Sequence, residues 1–223
     1  MRKLIAICCV TAVLLSNIAV ANITITPNSG ANYTYQRWDF DTTETITSNP
    51  PMPYLVTIGP ETDQNPYGDL LASITAYGTT SSKGGWYNTG VGPAYDVMHA
   101  GPYKMLIVGL TIPNVENKDM RKIVQLEFAY TDDPMIVPSI TAPQGAVLDS
   151  TVSGIDQYGW REMTYTWSIY PQPASETINL VFVAGATGVD LNYLEVATVC
   201  VPEPATIGLL GLGALSLLRK RRA

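Results

Sequence analysis

The fold of this chain is decided by the stretch Lys122-Ile123-Val124-Gln125-Leu126-Glu127-Phe128-Ala129-Tyr130, in which side-chain character alternates. The even-numbered positions from Val124 to Tyr130 are apolar or aromatic, whereas the odd-numbered positions include Gln125 and Glu127. Because successive side chains of a β-strand point to opposite faces, this period of two predicts a strand with one face in a core. The run Leu180-Val181-Phe182-Val183 is apolar on both faces and predicts a central strand.

Similar short segments recur along the chain, rich in Val, Ile, Thr and Tyr and bounded by Gly, Pro, Asn and Asp. The predicted strands are residues 23–26, 33–40, 54–58, 70–77, 105–112, 123–130, 146–152, 163–170, 177–183 and 191–199. No amphipathic helix longer than two turns interrupts them, so the sequence predicts an all-β, antiparallel two-sheet sandwich. Residues 78–101 are long for a tight connection, and we expect them to form a functional rim or to carry short strands.

The N-terminus has the three parts of a secretory signal peptide. Basic residues Arg2 and Lys3 precede an apolar run over residues 4–15, and the small residues Ala19 and Ala21 follow it. We therefore expect residues 1–21 to be a signal peptide that signal peptidase removes after Ala21. This segment implies export, with the secretion translocon as the first partner.

The C-terminus combines a short motif, an apolar run and a basic end. Val201-Pro202-Glu203-Pro204 is followed by residues 205–218, which are almost entirely apolar, and then by Arg219-Lys220-Arg221-Arg222. As a helix the apolar run is about 21 Å long, which is short of the bilayer's hydrocarbon core of about 30 Å. It is thus a marginal transmembrane helix, and the basic residues stop transfer and stay in the cytoplasm.

This order of parts, over residues 201–222, resembles the PEP-CTERM sorting signal of bacteria. The resemblance implies recognition by an exosortase, a membrane enzyme thought to cleave near the motif. It implies a protein that is anchored in the inner membrane before processing and is then found at the cell surface or in the extracellular matrix. The predicted organisation is therefore a signal peptide at 1–21, an exported domain at 22–200 and a sorting tail at 201–223. Such a tail carries no information about the function of the domain before it.

Charge and cysteine content restrict the exported domain further. Residues 22–201 contain 7 basic and 18 acidic side chains, a formal charge near −11, which disfavours nucleic acid and anionic membrane as partners. Cys8 and Cys9 leave with the signal peptide, so Cys200 has no partner for an intrachain disulfide. Cys200 is either an inert residue at a strand end or a thiol available for intermolecular bonding or acylation.

The last predicted strand carries a second, shorter resemblance. Val189-Asp190-Leu191-Asn192-Tyr193-Leu194-Glu195-Val196 looks like the closing strand of jelly-roll domains of the carbohydrate-binding type. This resemblance covers fewer than ten residues. It implies a jelly-roll-like arrangement of the sandwich without establishing a ligand.

The sequence offers little for catalysis. His99 is the single histidine, which excludes a histidine-based metal cluster, and neither an HExxH nor a G-x-S-x-G motif occurs. We interpret His99 as a loop or edge residue. Asp132 and Asp133 precede a proline and are typical of a turn, and Glu116 and Asp119 lie in a polar loop. We therefore expect a non-enzymatic protein, although a carboxylate pair in a cleft would allow glycosidase chemistry.

Two candidate binding features stay open. The first is a cluster of oxygen donors of the kind that calcium takes, within nine residues that also have the composition of a turn: Glu61, Asp63, Asn65 and Asp69. The second comprises aromatic platforms on which a surface polysaccharide could stack, with core or rim packing as the alternative role: Trp86, Tyr87, Tyr158 and Trp160. No other cofactor is indicated. The leading interpretation is a surface or matrix component, and the alternative is a carbohydrate-binding module.

Overall fold

The computed structural model describes residues 33–39, 54–58, 60, 62–68, 70–77, 85–88 and 96–202 of the 223-residue chain. All regular elements in these ranges are strands: β1 (Tyr33–Trp38), β2 (Tyr54–Ile58), β3 (Thr62–Asp63), β4 (Leu71–Ala76), β5 (Gly85–Asn88), β6 (Asp96–Ala100), β7 (Met105–Pro113), β8 (Met120–Thr131), β9 (Ser139–Thr141), β10 (Ala146–Ile155), β11 (Trp160–Ile169), β12 (Ser175–Val183) and β13 (Val189–Pro202). No helix in the described part is long and apolar enough to cross a bilayer.

The larger sheet has eight strands and is organised around β8 and β13. Its main order is β10-β11-β8-β13-β1-β3, and β6, which also pairs with β5, joins β13 beyond the end of β1. All these pairings are antiparallel. The stretch that begins at Lys122 thus forms a central strand, with β11 on one side and β13 on the other.

The smaller sheet has five antiparallel strands in the order β2-β4-β7-β12-β9. Buried residues alternate with more exposed ones in β4, β7 and β12, and the inward apolar residues, such as Ile74, Leu110 and Leu180, are fully buried. The two sheets pack face to face, because one core cluster draws side chains from both of them. Phe128 of the larger sheet meets Phe182 of the smaller one edge to face, with ring centroids 5.6 Å apart.

The structure confirms the all-β class and the pair of antiparallel sheets. Nine of the ten predicted strands correspond to observed ones, and the tenth, at residues 23–26, lies outside the described residues. The predicted inward face of β8, from Val124 to Tyr130, is the buried one. The signal peptide at 1–21 and the transmembrane helix at 205–218 also lie outside the described residues.

Three details refine the predicted strands. The run at 180–183 lies in β12, which pairs with β7 and β9 and is a central strand, as predicted. Only Leu180 and Phe182 of this run point into the core, and Val183 is 55% exposed. The segment 78–101 carries two short strands, β5 and β6, as one of the two expectations had it. The last strand continues beyond residue 199 to Pro202, whose Cα lies opposite that of Met120.

Candidate functional site

The outer face of the larger sheet carries a network of tyrosine, glutamate and arginine side chains, here called the tyrosine–glutamate face. The Tyr35 hydroxyl donates to Oε2 of Glu195 over 2.8 Å, and Nη1 of Arg37 donates to the same oxygen over 3.1 Å. The Arg37 guanidinium also lies 4.5 Å above the centre of the Tyr193 ring. Glu195 is therefore held by two donors from β1, and the cation rests on a ring from β13.

Tyr193 extends this network toward β8 and β11. Its hydroxyl lies 2.8 Å from Oε1 of Glu127 and 3.2 Å from Oε1 of Glu162. Burial, assisted by the hydrogen bond to Glu195, raises the pKa of Tyr35 to about 12. Burial also raises the pKa of Glu195, and nearby Glu127 contributes to the rise. The carboxylates thus lie side by side on a sheet surface and are engaged by neighbouring hydroxyl and guanidinium groups.

The outer face of the smaller sheet forms a groove of about 570 Å³, here called the polar groove. It is lined by Thr57, Leu71, Ser73, Gly109, Thr111, Pro113, Thr177 and Asn179. A side chain at Gly109 would bring its Cβ to 3.3 Å from Oδ1 of Asn179, so glycine keeps the floor of the groove low. Hydroxyl and amide groups on a concave surface can donate to and accept from a polyhydroxylated ligand.

Strand register builds this groove. Ser73, Gly109 and Asn179 lie opposite one another on β4, β7 and β12, and Thr57 continues the row on β2. In β4, β7 and β12 these groove positions alternate with buried apolar ones. The alternation is visible in the sequence, but the row itself depends on pairing between distant segments. Sequence reasoning therefore missed the groove.

The structure brings the predicted aromatic pairs to the same end of the larger sheet. Trp86 and Tyr87 lie in β5, Trp160 begins β11, and Tyr158 occupies the turn before it. Four strand spacings, about 19 Å, separate β5 from β11 across β6, β13 and β8. The two pairs therefore stand on separate parts of the sheet end. Tyr158 is 56% exposed, and the role of all four residues in glycan binding stays a prediction.

Two of the four predicted calcium ligands, Asp63 and Asn65, lie among the described residues. Oδ1 of Asp63 accepts from the Asn65 backbone N–H over 3.0 Å and from Nε2 of Gln36 over 3.2 Å. Oδ1 of Asn65 accepts from the Tyr67 N–H over 3.0 Å, so both side chains stabilise the turn after β3. Glu61 and Asp69 lie outside the described residues. Among the described residues no three His, Cys, Asp or Glu side chains are placed to hold a metal, and calcium stays a prediction.

The residues considered for catalysis have structural contacts. Nδ1 of His99, in strand β6, lies 2.5 Å from Oδ1 of Asp190, its cross-strand neighbour on β13. Asp132 forms an ion pair with Arg161, and Oδ1 of Asp133 accepts from the Met135 N–H over 2.8 Å. The aspartate pair thus fixes a turn and its neighbouring strand.

The sorting motif begins inside the fold. Pro202 is the last residue of β13, while Glu203, Pro204 and the basic residues Arg219, Lys220, Arg221 and Arg222 lie outside the described residues, as do Ala19 and Ala21. A proline at the end of a strand destabilises the sheet little, because the hydrogen-bond ladder lacks only one backbone N–H donor there. Cys200 points into the core and is 7% exposed, and burial raises the pKa of its thiol, which favours the inert interpretation.

Comparison with known families matches residues 201–222 to the PEP-CTERM protein-sorting motif. The match covers the tail alone and agrees with the resemblance seen in the sequence. No curated protein matches the chain, and no solved structure matches it.

Proposed function

We propose that this chain is an exported, non-enzymatic component of the cell surface or extracellular matrix, delivered by an exosortase-like system. The observation that carries the proposal is the PEP-CTERM motif at residues 201–222, whose first two residues are the last two of strand β13. The tyrosine–glutamate face supports the non-enzymatic part, because its carboxylates are engaged by Tyr35, Arg37 and Tyr193.

The proposed route has three steps. The signal peptide directs residues 22 onward through the translocon and is removed after Ala21. The tail then holds the protein in the inner membrane, with Arg219–Arg222 in the cytoplasm. The exosortase-like enzyme finally cleaves near Pro202–Pro204 and releases or attaches the sandwich outside.

Mass spectrometry of the protein from surface fractions tests this route. We expect an N-terminus at Asn22, a C-terminus close to Pro202–Pro204 and no peptide from Arg219 to Arg222. The substitution Glu203→Ala, in the centre of the motif, should leave the tail in place and the protein in the membrane fraction. Surface protein that retains its intact basic end in exosortase-competent cells would contradict sorting.

A carbohydrate-binding, jelly-roll-like module is the alternative, and the polar groove favours it. Its row of Thr57, Ser73 and Asn179 supplies the hydroxyl and amide partners that sugars require. Leu71, which is 49% exposed, adds an apolar contact at the groove. The ligand of this alternative is a surface polysaccharide.

Pull-down with the polysaccharide of the producing cells tests the alternative and locates the site. If the groove binds, Asn179→Ala should weaken retention about two- to tenfold, since one lost hydrogen bond contributes about 0.5–1.5 kcal/mol. Trp86→Ala should have that effect only if the predicted aromatic platform binds instead. Ser153→Ala, on exposed strand β10, is the control, and repetition with a calcium chelator tests the predicted ion. Equal retention of all variants would exclude both sites.

A further inference from the structure

A fully buried ion pair connects the two sheets near the end of the sandwich from which the tail emerges. Nζ of Lys122 lies 3.0 Å from Oε2 of Glu176, and both side chains are completely shielded from solvent. Lys122 is on the inward face of β8 and lies opposite Cys200 of β13, while Glu176 is on the inward face of β12. Burying two charges is costly even when they are paired, so such a pair calls for an explanation.

The same carboxylate also holds an asparagine. Oε1 of Glu176 accepts from Nδ2 of Asn114, which follows β7, over 3.2 Å. Oδ1 of Asn114 in turn accepts from Nε2 of the buried Gln172 over 2.9 Å. One carboxylate therefore bridges an amine and a carboxamide, and the carboxamide oxygen already has a hydrogen-bond donor.

We propose that Lys122 and Asn114 are joined by an intramolecular isopeptide bond that forms with Glu176 as the proton carrier. The four groups have the parts that this acyl transfer requires: a nucleophilic amine, an electrophilic carbonyl, a general acid–base between them and a donor for the developing oxyanion. Because the folded chain holds these groups together in a closed site, the reaction is intramolecular and needs no encounter between separate molecules.

The reaction balances without an added reagent. Glu176 accepts a proton from the Lys122 ammonium, and the free Nζ attacks Cγ of Asn114 while Gln172 stabilises the negative oxygen. One proton then passes from Nζ to Nδ2 through the carboxyl group, the Cγ–Nδ2 bond breaks, and ammonia leaves. The products are a neutral secondary amide, ammonia and a protonated Glu176. Atoms, protons and charge are conserved, and nothing is oxidised or reduced.

The surroundings favour each of these protonation states. Burial lowers the pKa of the Lys122 ammonium, which promotes the free amine that attacks. Burial raises the pKa of the Glu176 carboxyl, which promotes the protonated form that remains at the end. The reaction also converts two buried charges into neutral groups, and this removes the cost of the ion pair. The proposal is independent of any ligand and of the sorting route.

The bond would tie the two sheets together at this end. Asn114 directly follows β7 of the smaller sheet, and Lys122 belongs to β8 of the larger one. The segment between them contains the exposed Lys118 and is held by backbone hydrogen bonds between Asn117 and Gln172. A covalent link here opposes separation of the sheets next to the strand that carries the tail.

Peptide mapping of the purified full chain tests the proposal. Trypsin does not cleave after an acylated lysine, so the digest should contain the peptide with Asn114 joined to a peptide that begins at Lys122. The joined species should be lighter than the sum of its two parts by one ammonia. Cleavage after Lys118, four residues away, is the control in the same digest. Complete recovery of the two separate peptides, with a free Lys122, would overturn the proposal.

Two substitutions distinguish ammonia loss by isopeptide-bond formation from ammonia loss by other reactions. Glu176→Gln keeps the shape of the side chain but cannot accept the proton, and Asn114→Ala removes the electrophile at a partly exposed position. Both variants should yield only separate peptides, while circular dichroism confirms that each is folded. An ammonia loss confined to the Asn114 peptide of the wild-type chain indicates a succinimide and contradicts the proposal.

Discussion

Tyr35 and Glu195 show how single residues stabilise the polar face of the larger sheet. The Tyr35 hydroxyl is a neutral donor to a carboxylate that Arg37 also contacts. Ionisation of this tyrosine would place a negative charge beside Glu195 and remove the donor. The folded state therefore holds the phenolic proton more tightly than the unfolded chain does.

This difference predicts a loss of stability at alkaline pH. The pKa of Tyr35 rises from 10.0 to about 12, so its contribution is fully present below pH 10 and is lost as the pH rises through about 12. In Tyr35→Phe the free energy of unfolding should fall less steeply over this interval, as measured by urea unfolding at several pH values. Tyr103→Phe, at a position that is 76% exposed, should keep the wild-type slope. Identical slopes for all three proteins would refute this role.

At the scale of elements, the β12–β13 connection depends on one glycine. Gly188 has a φ of +96°, and a Cβ there would lie 2.7 Å from the carbonyl oxygen of Ala100 on β6. Directly after this turn, Val189 pairs with Ala100 and starts the strand that also pairs with β8 and β1. The close approach of β6 thus requires the absence of a side chain.

Gly188→Ala should therefore destabilise the fold by about 1–3 kcal/mol, the cost of a strained backbone conformation. The collision with a carbonyl oxygen adds to the strain, because backbone cannot move aside as a flexible side chain can. Gly154→Ala is the matched control, since nothing lies within 4 Å of the Cβ it would add and its φ is not positive. Urea unfolding measures both, and equal midpoints for the two variants would show that the turn tolerates a side chain.

At the scale of the whole molecule, β13 connects the core to the sorting tail. It pairs with β8 along most of its length and with β1 and β6 on its other side. Thr198 and Cys200, near its end, are buried, and the pairing extends to Pro202. Cleavage within Pro202–Pro204 would thus leave the strand intact, whereas cleavage a few residues earlier would remove part of the central sheet.

Truncated chains test whether the folded domain extends to Pro202. A chain that ends at Pro202 should have the same thermal unfolding midpoint as the full chain. A chain that ends at Val196 should lose about 3 kcal/mol or more, because each lost hydrogen bond to β8 or β1 contributes about 0.5–1.5 kcal/mol. Calorimetry of the two truncated chains provides the comparison. If the shorter chain were as stable as the longer one, residues 197–202 would not belong to the folding unit.

The sequence alone determined nine of the thirteen strands in the described residues, the inward face of β8 and the sorting tail. These features are local: alternation over Val124–Tyr130 and the order of motif, apolar run and basic end can be read from neighbouring residues. The apolar run at 180–183 indicated a central strand but not how far each of its faces is buried, because local composition does not reveal whether a second layer covers the outer face of a strand.

Only the tertiary structure decided the rest. A bulge between Leu191 and Tyr193 shifts the inward positions of β13, so that Leu191 and Leu194 both reach the core. The groove row Ser73–Gly109–Asn179 and the cluster of Asn114, Lys122 and Glu176 each join segments that are far apart in the chain or on different sheets. The physical reason is that strand register and sheet packing are set by contacts between distant residues, which no local pattern specifies.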